Sequence, residues 1–196
     1  MSHSALSLRE RQTAERSLAL RTEARRLTAE RGISGFTIEE LCSVVGVSRR
    51  TFFNYYASKE NAVLGIPVRT DSATFEAGFV ADDGDLLTDL VELHVARWAS
   101  FALTRTDAEE LGRVVEREPR LVAHMLSLAE QGERDDIALV ARRLGAPPDD
   151  VRVQTAVHVI GSLLRPTVVE YFAADAGDFR TLLLRRLDAA RELLSL

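Results

Sequence analysis

The chain between Thr37 and Lys59 reads TIEELCSVVGVSRRTFFNYYASK. Thr37 followed three residues later by Glu40 is the capping-box pattern that begins a helix. Apolar residues then recur at the i, i+3, i+4, i+7 spacing of one buried helical face, namely Ile38, Leu41, Cys42 and Val45. Gly46 can adopt the left-handed conformation that ends a helix, and Ser48 can cap the start of another. The stretch therefore predicts two short helices joined by a tight turn.

The second of these helices has two chemically different faces. Phe52 and Tyr56 are four residues apart, so both are predicted to point toward the core. The opposite face then carries Arg49, Arg50, Phe53 and Asn54. The two arginines lie at the N-terminal end, which is the end that a recognition helix inserts into the major groove. This face suits contact with DNA better than contact with water.

The side chains of this region match the contacts that DNA offers. Arginine can bond guanine in bidentate fashion, asparagine can do so with adenine, and tyrosine and lysine commonly hold phosphate oxygens. The predicted DNA-contacting residues are Thr37, Ser48, Arg49, Arg50, Thr51, Phe53, Asn54, Tyr55 and Lys59. The alternative is a plain helical hairpin whose arginines are merely solvated. Tyr55 and Lys59 lie where contact with DNA would need them, which favours the DNA-binding interpretation.

This stretch resembles the DNA-binding signature of the TetR family of bacterial repressors. The matching residues are Thr37, Ile38, Leu41, Gly46, Val47, Ser48, Thr51, Phe52, Tyr55, Lys59 and Glu60, with Ala24, Leu27, Glu30, Arg31, Gly32 and Phe36 upstream. The departures are Cys42 and Val45 at usual alanine positions, Phe53 at a usual tyrosine and Tyr56 at a usual phenylalanine. Phe53 has no hydroxyl for a phosphate, so it is expected to touch a thymine methyl or a sugar. The resemblance implies a homodimeric, ligand-responsive regulator, most often a repressor.

Composition and charge are those of a globular protein. Of its 196 residues, 46% are hydrophobic and 28% charged. Residues 1–60 carry ten Arg and Lys against seven Asp and Glu, although the whole chain has a net charge of −5. This asymmetry suits a small DNA-binding domain on an acidic chain. The N-terminus has no secretory signal pattern and the longest apolar stretch is too short to span a bilayer, so a cytoplasmic protein without membrane contact is expected.

Helical periodicity recurs along the chain, and no alternating pattern typical of strands competes with it. We predict an all-α fold of about nine helices. A three-helix helix-turn-helix DNA-binding domain is expected over residues 1–58, and a helical ligand-binding and dimerisation domain over residues 59–196. Gly65 and Pro67 interrupt the fourth helix, so either a kink near Pro67 or a new helix before Phe75 is expected.

Catalytic and metal-binding patterns are absent from the sequence. The histidines, His3, His94, His124 and His158, do not have the spacing of a helical metal site. No nucleophile, phosphate-loop or dinucleotide motif occurs either, so we predict no enzyme activity, no metal and no cofactor. The alternative function is a helical small-molecule binding protein with a vestigial DNA-binding domain, and an enzyme ranks third. Intact Arg49, Asn54, Tyr55 and Lys59 argue against a vestigial domain.

In the TetR family, which this sequence resembles, a ligand enters a cavity among the middle helices. The candidate lining is His94, Arg97, Trp98, Phe101, Leu121, Met125, Leu128, Thr155, His158 and Ser162. Apolar walls with a few polar groups predict an apolar organic effector, anchored at one end by a histidine or by Arg97. Residues 149–196 carry apolar stripes and are expected to pair with the same surface of a second chain. The two DNA-binding domains would then address a pseudo-palindromic operator whose half-sites lie about 34–36 Å apart.

Overall fold

The computed structural model describes residues 8–68, 72–101, 103–173 and 177–195. Within these ranges the chain forms ten helices and no strand. The helices are α1 (Leu8–Arg31), α2 (Ile38–Val45), α3 (Arg49–Tyr55), α4 (Lys59–Leu64), α5 (Ser72–Ala81), α6 (Leu86–Ser100), α7 (Arg105–Arg117), α8 (Pro119–Leu144), α9 (Val151–Tyr171) and α10 (Phe179–Leu194). The predicted all-α fold is confirmed.

The tenth helix arises at the predicted interruption. Gly65 takes a left-handed conformation with φ 78° and ends α4. The Ile66 amide donates to the Asn61 carbonyl at 2.9 Å, which satisfies one of the last carbonyls of that helix. The chain then begins a new helix at Ser72. The restart is therefore observed, and no helix continues through Pro67 with a kink.

The chain divides into two compact units. The first contains the described residues of 1–69 and 103–124, and the second those of 70–102 and 125–196, so the division falls within α8. The sequence suggests a domain boundary after residue 58, whereas the first unit continues through α4 and also takes in α7. Both of these helices pack against α1, and this packing joins them to the helix-turn-helix.

The first unit is built around the inner face of α1. Leu20, Ala24 and Leu27 are fully or almost fully buried, and their spacing is that of one helical face. The remaining core residues come from the other helices and loops of this unit, namely Ile33, Phe36, Leu41, Cys42, Phe52, Tyr56, Ala62, Val63, Val114 and Leu121. This core holds α2 and α3 in place on α1.

The second unit is organised around α6, which packs against α5, α9 and α10. Its buried residues include Leu90, Val91 and Leu93 of α6. The buried faces of the two last helices consist of Val153, Ala156, Val157 and Ile160 on α9 and of Phe179, Leu182, Leu183 and Leu187 on α10. Among the described helices, not one combines the length and apolar character needed to cross a membrane.

Candidate nucleic-acid interface

The turn between α2 and α3 is fixed by side-chain caps at both helix starts. Thr37 Oγ1 accepts from the Glu40 amide at 3.1 Å, and Glu40 Oε2 accepts from the Thr37 amide at 3.0 Å. Gly46 has φ 76°, and its amide donates to the Cys42 carbonyl at 2.9 Å. Ser48 Oγ then accepts from the Thr51 amide at 3.0 Å. The angle between the two short helices is therefore set by local hydrogen bonds as well as by the core.

The rotation of α3 about its axis is set by two aromatic side chains. Phe52 and Tyr56 are 0% and 2% exposed, as their spacing predicts. The Tyr56 hydroxyl donates to the Ser17 carbonyl of α1 at 3.0 Å. Burial raises the pKa of the Tyr56 phenol, although Ser17 and nearby arginines partly oppose the shift. With this face held by the core, the opposite face must point outward.

The outward face of α3 carries Arg49, Arg50, Phe53 and Asn54, all exposed. Arg49 forms an ion pair with Glu39 of α2 at 2.8 Å, and its guanidinium lies 5.7 Å from the centre of the Phe53 ring. Both members of the pair are more than half exposed, so the pair contributes little and can be exchanged for a DNA contact. Within the described residues, the side chains of Arg50 and Asn54 have no hydrogen-bond or ion-pair partner.

Lys59 has a structural role that the sequence does not reveal. Its ammonium donates to the carbonyls of Ile33 and Phe36, at 2.8 and 2.6 Å, and lies 4.8 Å from the centre of the Phe36 ring. The residue therefore fastens the loop between α1 and α2 to the start of α4. A third ammonium hydrogen remains for a phosphate oxygen. Tyr55, the other predicted phosphate contact, is half-buried against the core of the first unit.

A buried ionic cluster joins α1, α4 and α7. Asp107 accepts from Arg21 at 3.2 Å and from Arg25 at 2.7 Å, and Arg25 Nε also donates to the Val63 carbonyl at 2.8 Å. Burial raises the pKa of the Asp107 carboxyl, but the bonds from Thr104 and the charges of the two arginines outweigh burial and lower it. Burial lowers the pKa of Arg25. No sequence pattern indicates this cluster, because Asp107 is more than eighty residues away from both arginines.

Two family profiles match the chain. The profile described as "Bacterial regulatory proteins, tetR family" matches residues 20–64, which include α2, α3 and α4. The profile described as "MftR C-terminal domain" matches residues 87–195, more than half of the chain. The chain belongs to the TetR family. It is thus a transcriptional regulator with a helix-turn-helix DNA-binding region, and regulators of this family are typically dimers with a C-terminal ligand-binding domain.

A relative of stated function supports the TetR assignment. The HTH-type transcriptional regulator TcmR of Streptomyces glaucescens is 28% identical to this chain over 168 residues. The match covers 82% of this chain and 74% of TcmR. It therefore reaches well beyond the helix-turn-helix.

In this TetR protein, the predicted ligand-contacting residues of α6 take part in a polar network and an aromatic cluster. His94 Nε2 lies 3.2 Å from one oxygen of Asp136, and Arg97 donates to the other at 2.5 Å. Arg97 also pairs with Glu76 at 3.3 Å. Burial raises the pKa of the Asp136 carboxyl, but bonds and charge from His94 and Arg97 outweigh it and lower the pKa. The sequence predicts a histidine or Arg97 as the polar anchor, and no pattern in it marks Asp136.

Trp98 is the centre of the aromatic cluster. Its ring stacks on Phe179 with centroids 4.5 Å apart and an angle of 10° between planes. Edge-to-face or tilted contacts follow with Phe101 at 6.0 Å, Tyr171 at 5.6 Å and Phe172 at 5.8 Å. These partners come from α9 and α10 and the residues that follow α6 and α9. Apart from Phe101, none of them belongs to the predicted lining.

The other predicted lining residues lie elsewhere. Thr155, His158 and Ser162 occupy the exposed face of α9, where His158 pairs with Glu133 at 3.1 Å. Met125 is 43% exposed, and Leu128 is half-buried. Leu121 is fully buried in the core of the first unit. The structure thus brings together the predicted lining residues of α6, and it does not bring α9 side chains of that list to them, because the core-facing side of α9 is a different one.

Proposed function

We propose that this TetR-family protein is a repressor that binds a pseudo-palindromic operator as a homodimer and is released from it by an apolar organic effector. The observation that supports DNA reading is the exposed face of α3, which carries Arg49, Arg50, Phe53 and Asn54. A vestigial DNA-binding domain has no need for two arginines and an amide turned outward from a helix whose other face is locked into the core. Transcription regulation itself follows from membership of the TetR family.

Each side chain of the α3 face has a definite task in this proposal. Arg49 and Arg50, at the first turn, are the candidates for bidentate bonds to guanine, and Asn54, one turn later, for bonds to adenine. Phe53 lies between them and offers an apolar ring to a thymine methyl. On binding, Arg49 exchanges its exposed pair with Glu39 for a base edge.

The test begins with selection of the operator from random duplexes. Arg49→Ala and Asn54→Ala are each expected to cost about 1–3 kcal/mol of binding free energy and to relax the preference at one base pair. Arg142→Ala, an exposed arginine in the last turn of α8, is the matched control and is expected to leave affinity unchanged. If both α3 variants bound the operator like the parent protein, the exposed face of α3 would not be the reading face.

Support for a homodimer comes from the exposed faces of α9 and α10. Val151 and Val169 of α9 are 76% and 70% exposed, and Leu193 and Leu194 of α10 are 71% and 82% exposed. The exposed residues of α9 include a set at heptad-like spacing, namely Val151, Thr155, His158, Ser162, Arg165 and Val169. Gly161 lies in the same face, and a Cβ at this position would meet no atom within 4 Å. Small residues at mid-helix allow the same helix of a second chain to approach closely about a two-fold axis.

The core residues of α10 do not belong to this interface. Leu183 and Leu187 of α10 are both 0% exposed, because they pack inside the second unit. The informative variants are therefore Ser162→Glu and Val169→Glu, which should yield monomers in light scattering at micromolar concentration. Leu126→Glu, at a residue of α8 that is 62% exposed, is the control and should stay dimeric. A parent protein that is monomeric under these conditions would rule out the dimer.

For the effector, the contacts around Trp98 support a site on the α6 side of the second unit. Aromatic rings supply apolar walls, and the Asp136 network supplies a polar end. An effector that accepts a bond from Arg97 competes with Asp136 of α8. The same helix carries His124, whose Nε2 lies 2.9 Å from Asn61 Oδ1 of α4. Displacement of Asp136 would therefore act on a helix that also contacts α4.

The effector proposal is tested by coupling between two binding events. For the effector to release the repressor, effector binding must weaken operator binding by about 1–3 kcal/mol, and operator binding must weaken effector binding by the same amount. A panel of apolar ligands is titrated calorimetrically, and operator affinity is measured with and without each binder. Phe101→Ala is expected to weaken effector binding while operator affinity stays at the parental value, with Leu126→Ala as control. Equal effector potency in the Phe101 variant would locate the site elsewhere.

A further inference from the structure

A groove of about 590 Å³ runs between α1 and α7 within the first unit. The groove is lined by Ala29 of α1 and Val114 of α7 and by charged side chains of both helices. The volume lies within the range of small-molecule sites. None of the residues predicted from the sequence to bind DNA or effector lines this groove, so it belongs to neither of the sites already described.

The arginines that line the groove differ in their ion-pair and hydrogen-bond partners. On the α1 side, Arg25 is bonded to Asp107, and Arg26 is bonded to Glu23 and Glu30. On the α7 side, Arg113 donates only its Nε, to the Glu109 carbonyl at 3.2 Å. In the part of the chain that the structure describes, neither Arg113 nor Arg117 forms an ion pair.

Arg113 and Arg117 are four residues apart, so they project from the same face of α7. Both arginines are exposed, and both line the groove together with the apolar Ala29 and Val114. Glu110, one turn earlier on the same face, and Glu118, which accepts from the Ile33 amide at 3.0 Å, are the acidic residues that line this groove. Two guanidinium groups without carboxylate partners are suited to hold a planar carboxylate or a phosphate through charge-assisted hydrogen bonds.

We propose that this groove binds a small organic anion with an apolar body. The anionic group bonds to Arg113 and Arg117, and the body lies on Ala29 and Val114. Such a ligand bridges α1 and α7, which the Arg25–Asp107 bond at 2.7 Å already joins. Because only the folded unit offers this bridge, bound ligand raises the melting temperature of the protein.

Decanoate is the probe, and decanol and decyltrimethylammonium, which share its chain length, are the controls for charge. Calorimetry and thermal denaturation should show binding and stabilisation by decanoate and much weaker effects of the other two. Arg113→Gln and Arg117→Gln should each weaken decanoate binding by about tenfold, the size of one lost charge-assisted bond. Glu110→Gln should tighten it, because the opposing charge is removed.

Two further variants locate the site. Ala29→Phe places a ring in the groove from an exposed position of α1, so it should abolish decanoate binding without loss of folding. Arg16→Gln removes an exposed charge elsewhere on α1 and should change nothing. Decanol binding as tightly as decanoate, or full decanoate binding in both arginine variants, would overturn the proposal.

Two other results would also overturn the proposal, and each would point to a different interpretation. If the arginine variants lowered duplex-DNA affinity and its salt slope by about one each and left decanoate binding intact, these arginines would be phosphate contacts. If decanoate bound normally to Ala29→Phe and was lost from Phe101→Ala, the ligand would occupy the second unit. That last result would support the proposed effector site and would exclude the groove as the ligand site.

Discussion

Two carboxylates, one in each compact unit, are buried and each bonded by two nitrogen-bearing side chains, and the comparison shows how differently the two units are held together. Asp107 has a side chain 14% exposed and is bonded by Arg21 and Arg25. Asp136 is 7% exposed and is bonded by Arg97 and His94. Both partners of Asp107 are guanidinium groups, which keep their charge at every physiological pH, whereas one partner of Asp136 is an imidazole. Asp107 is thus held by two guanidinium charges, and Asp136 by one guanidinium charge together with an imidazole hydrogen bond.

Removal of Asp107 is expected to have the largest effect. Asp107→Ala deprives two buried guanidinium groups of their carboxylate and also removes the cap of α7 formed with Thr104. The free energy of unfolding should fall by about 3–5 kcal/mol, measured by denaturant titration. Asp188→Ala is the control, since its 3.7 Å contact with Arg191 is exposed. A loss no larger than that of the control would show that the Asp107 cluster does not fasten α1 to α7.

Asp136→Asn is expected to cost less, about 2 kcal/mol at neutral pH, because the amide keeps part of the hydrogen bonding. The pKa of the Asp136 carboxyl is lowered in the folded protein, so its stabilising contribution is present above the unfolded value of about 3.9 and is lost as pH falls through the folded value. The difference between parent and variant in unfolding free energy should therefore shrink below about pH 4. Denaturant titrations at pH 6 and pH 3.5 measure it.

The exposed neighbour Asp135, bonded to Gln131, provides the matched control for this pH series. Asp135→Asn is expected to change the unfolding free energy little at either pH. A gap between parent and Asp136→Asn that stayed constant down to pH 3.5 would mean that the lowered pKa of Asp136 does not contribute to folding stability. The contrast between the two clusters would then rest on geometry alone.

Lys59 forms a third tether, with carbonyl partners in place of a carboxylate, and its loss is expected to have the smallest effect. Lys59→Met leaves the Ile33 and Phe36 carbonyls without their donor, at a cost of about 1–2 kcal/mol of unfolding free energy. The salt slope of operator binding should also fall by about one. Unchanged stability with a reduced slope would make Lys59 a phosphate contact only, and the reverse result would make it a tether only. Arg142→Met is the control.

The helix-turn-helix could be predicted closely because its determinants are local. Thr37 and Glu40 form the expected capping box, Gly46 is left-handed, and Ser48 caps α3. Phe52 and Tyr56 face inward, so the outward face follows from a spacing of a few residues. The tethering role of Lys59 could not be predicted in this way. Its bonds reach back more than twenty residues to backbone carbonyls, and no side-chain pattern marks such acceptors.

The ligand-binding region could not be predicted in the same way, because α9 is apolar on more than one side. Val151 and Val169 lie among the exposed residues of α9 with Thr155, His158 and Ser162, whereas Val153, Ala156, Val157 and Ile160 are buried; packing on α6 and α10 decides which apolar residues are covered. The interrupted α4 is an intermediate case, since Gly65 and Pro67 predict a break but leave open whether it is a kink or a restart. Pairs such as Arg25 with Asp107 depend on the tertiary fold alone.

The stacking of Trp98 on Phe179 also has an optical consequence. Trp98 is the only tryptophan of the chain, so every indole signal of the protein comes from this one position. Its ring lies parallel to a ring of α10 and touches three others, and such a rigid, asymmetric environment gives an indole a strong near-ultraviolet circular dichroism band. The relative orientation of α6 and α10 is therefore recorded in one spectral band, without any label having to be attached to the protein.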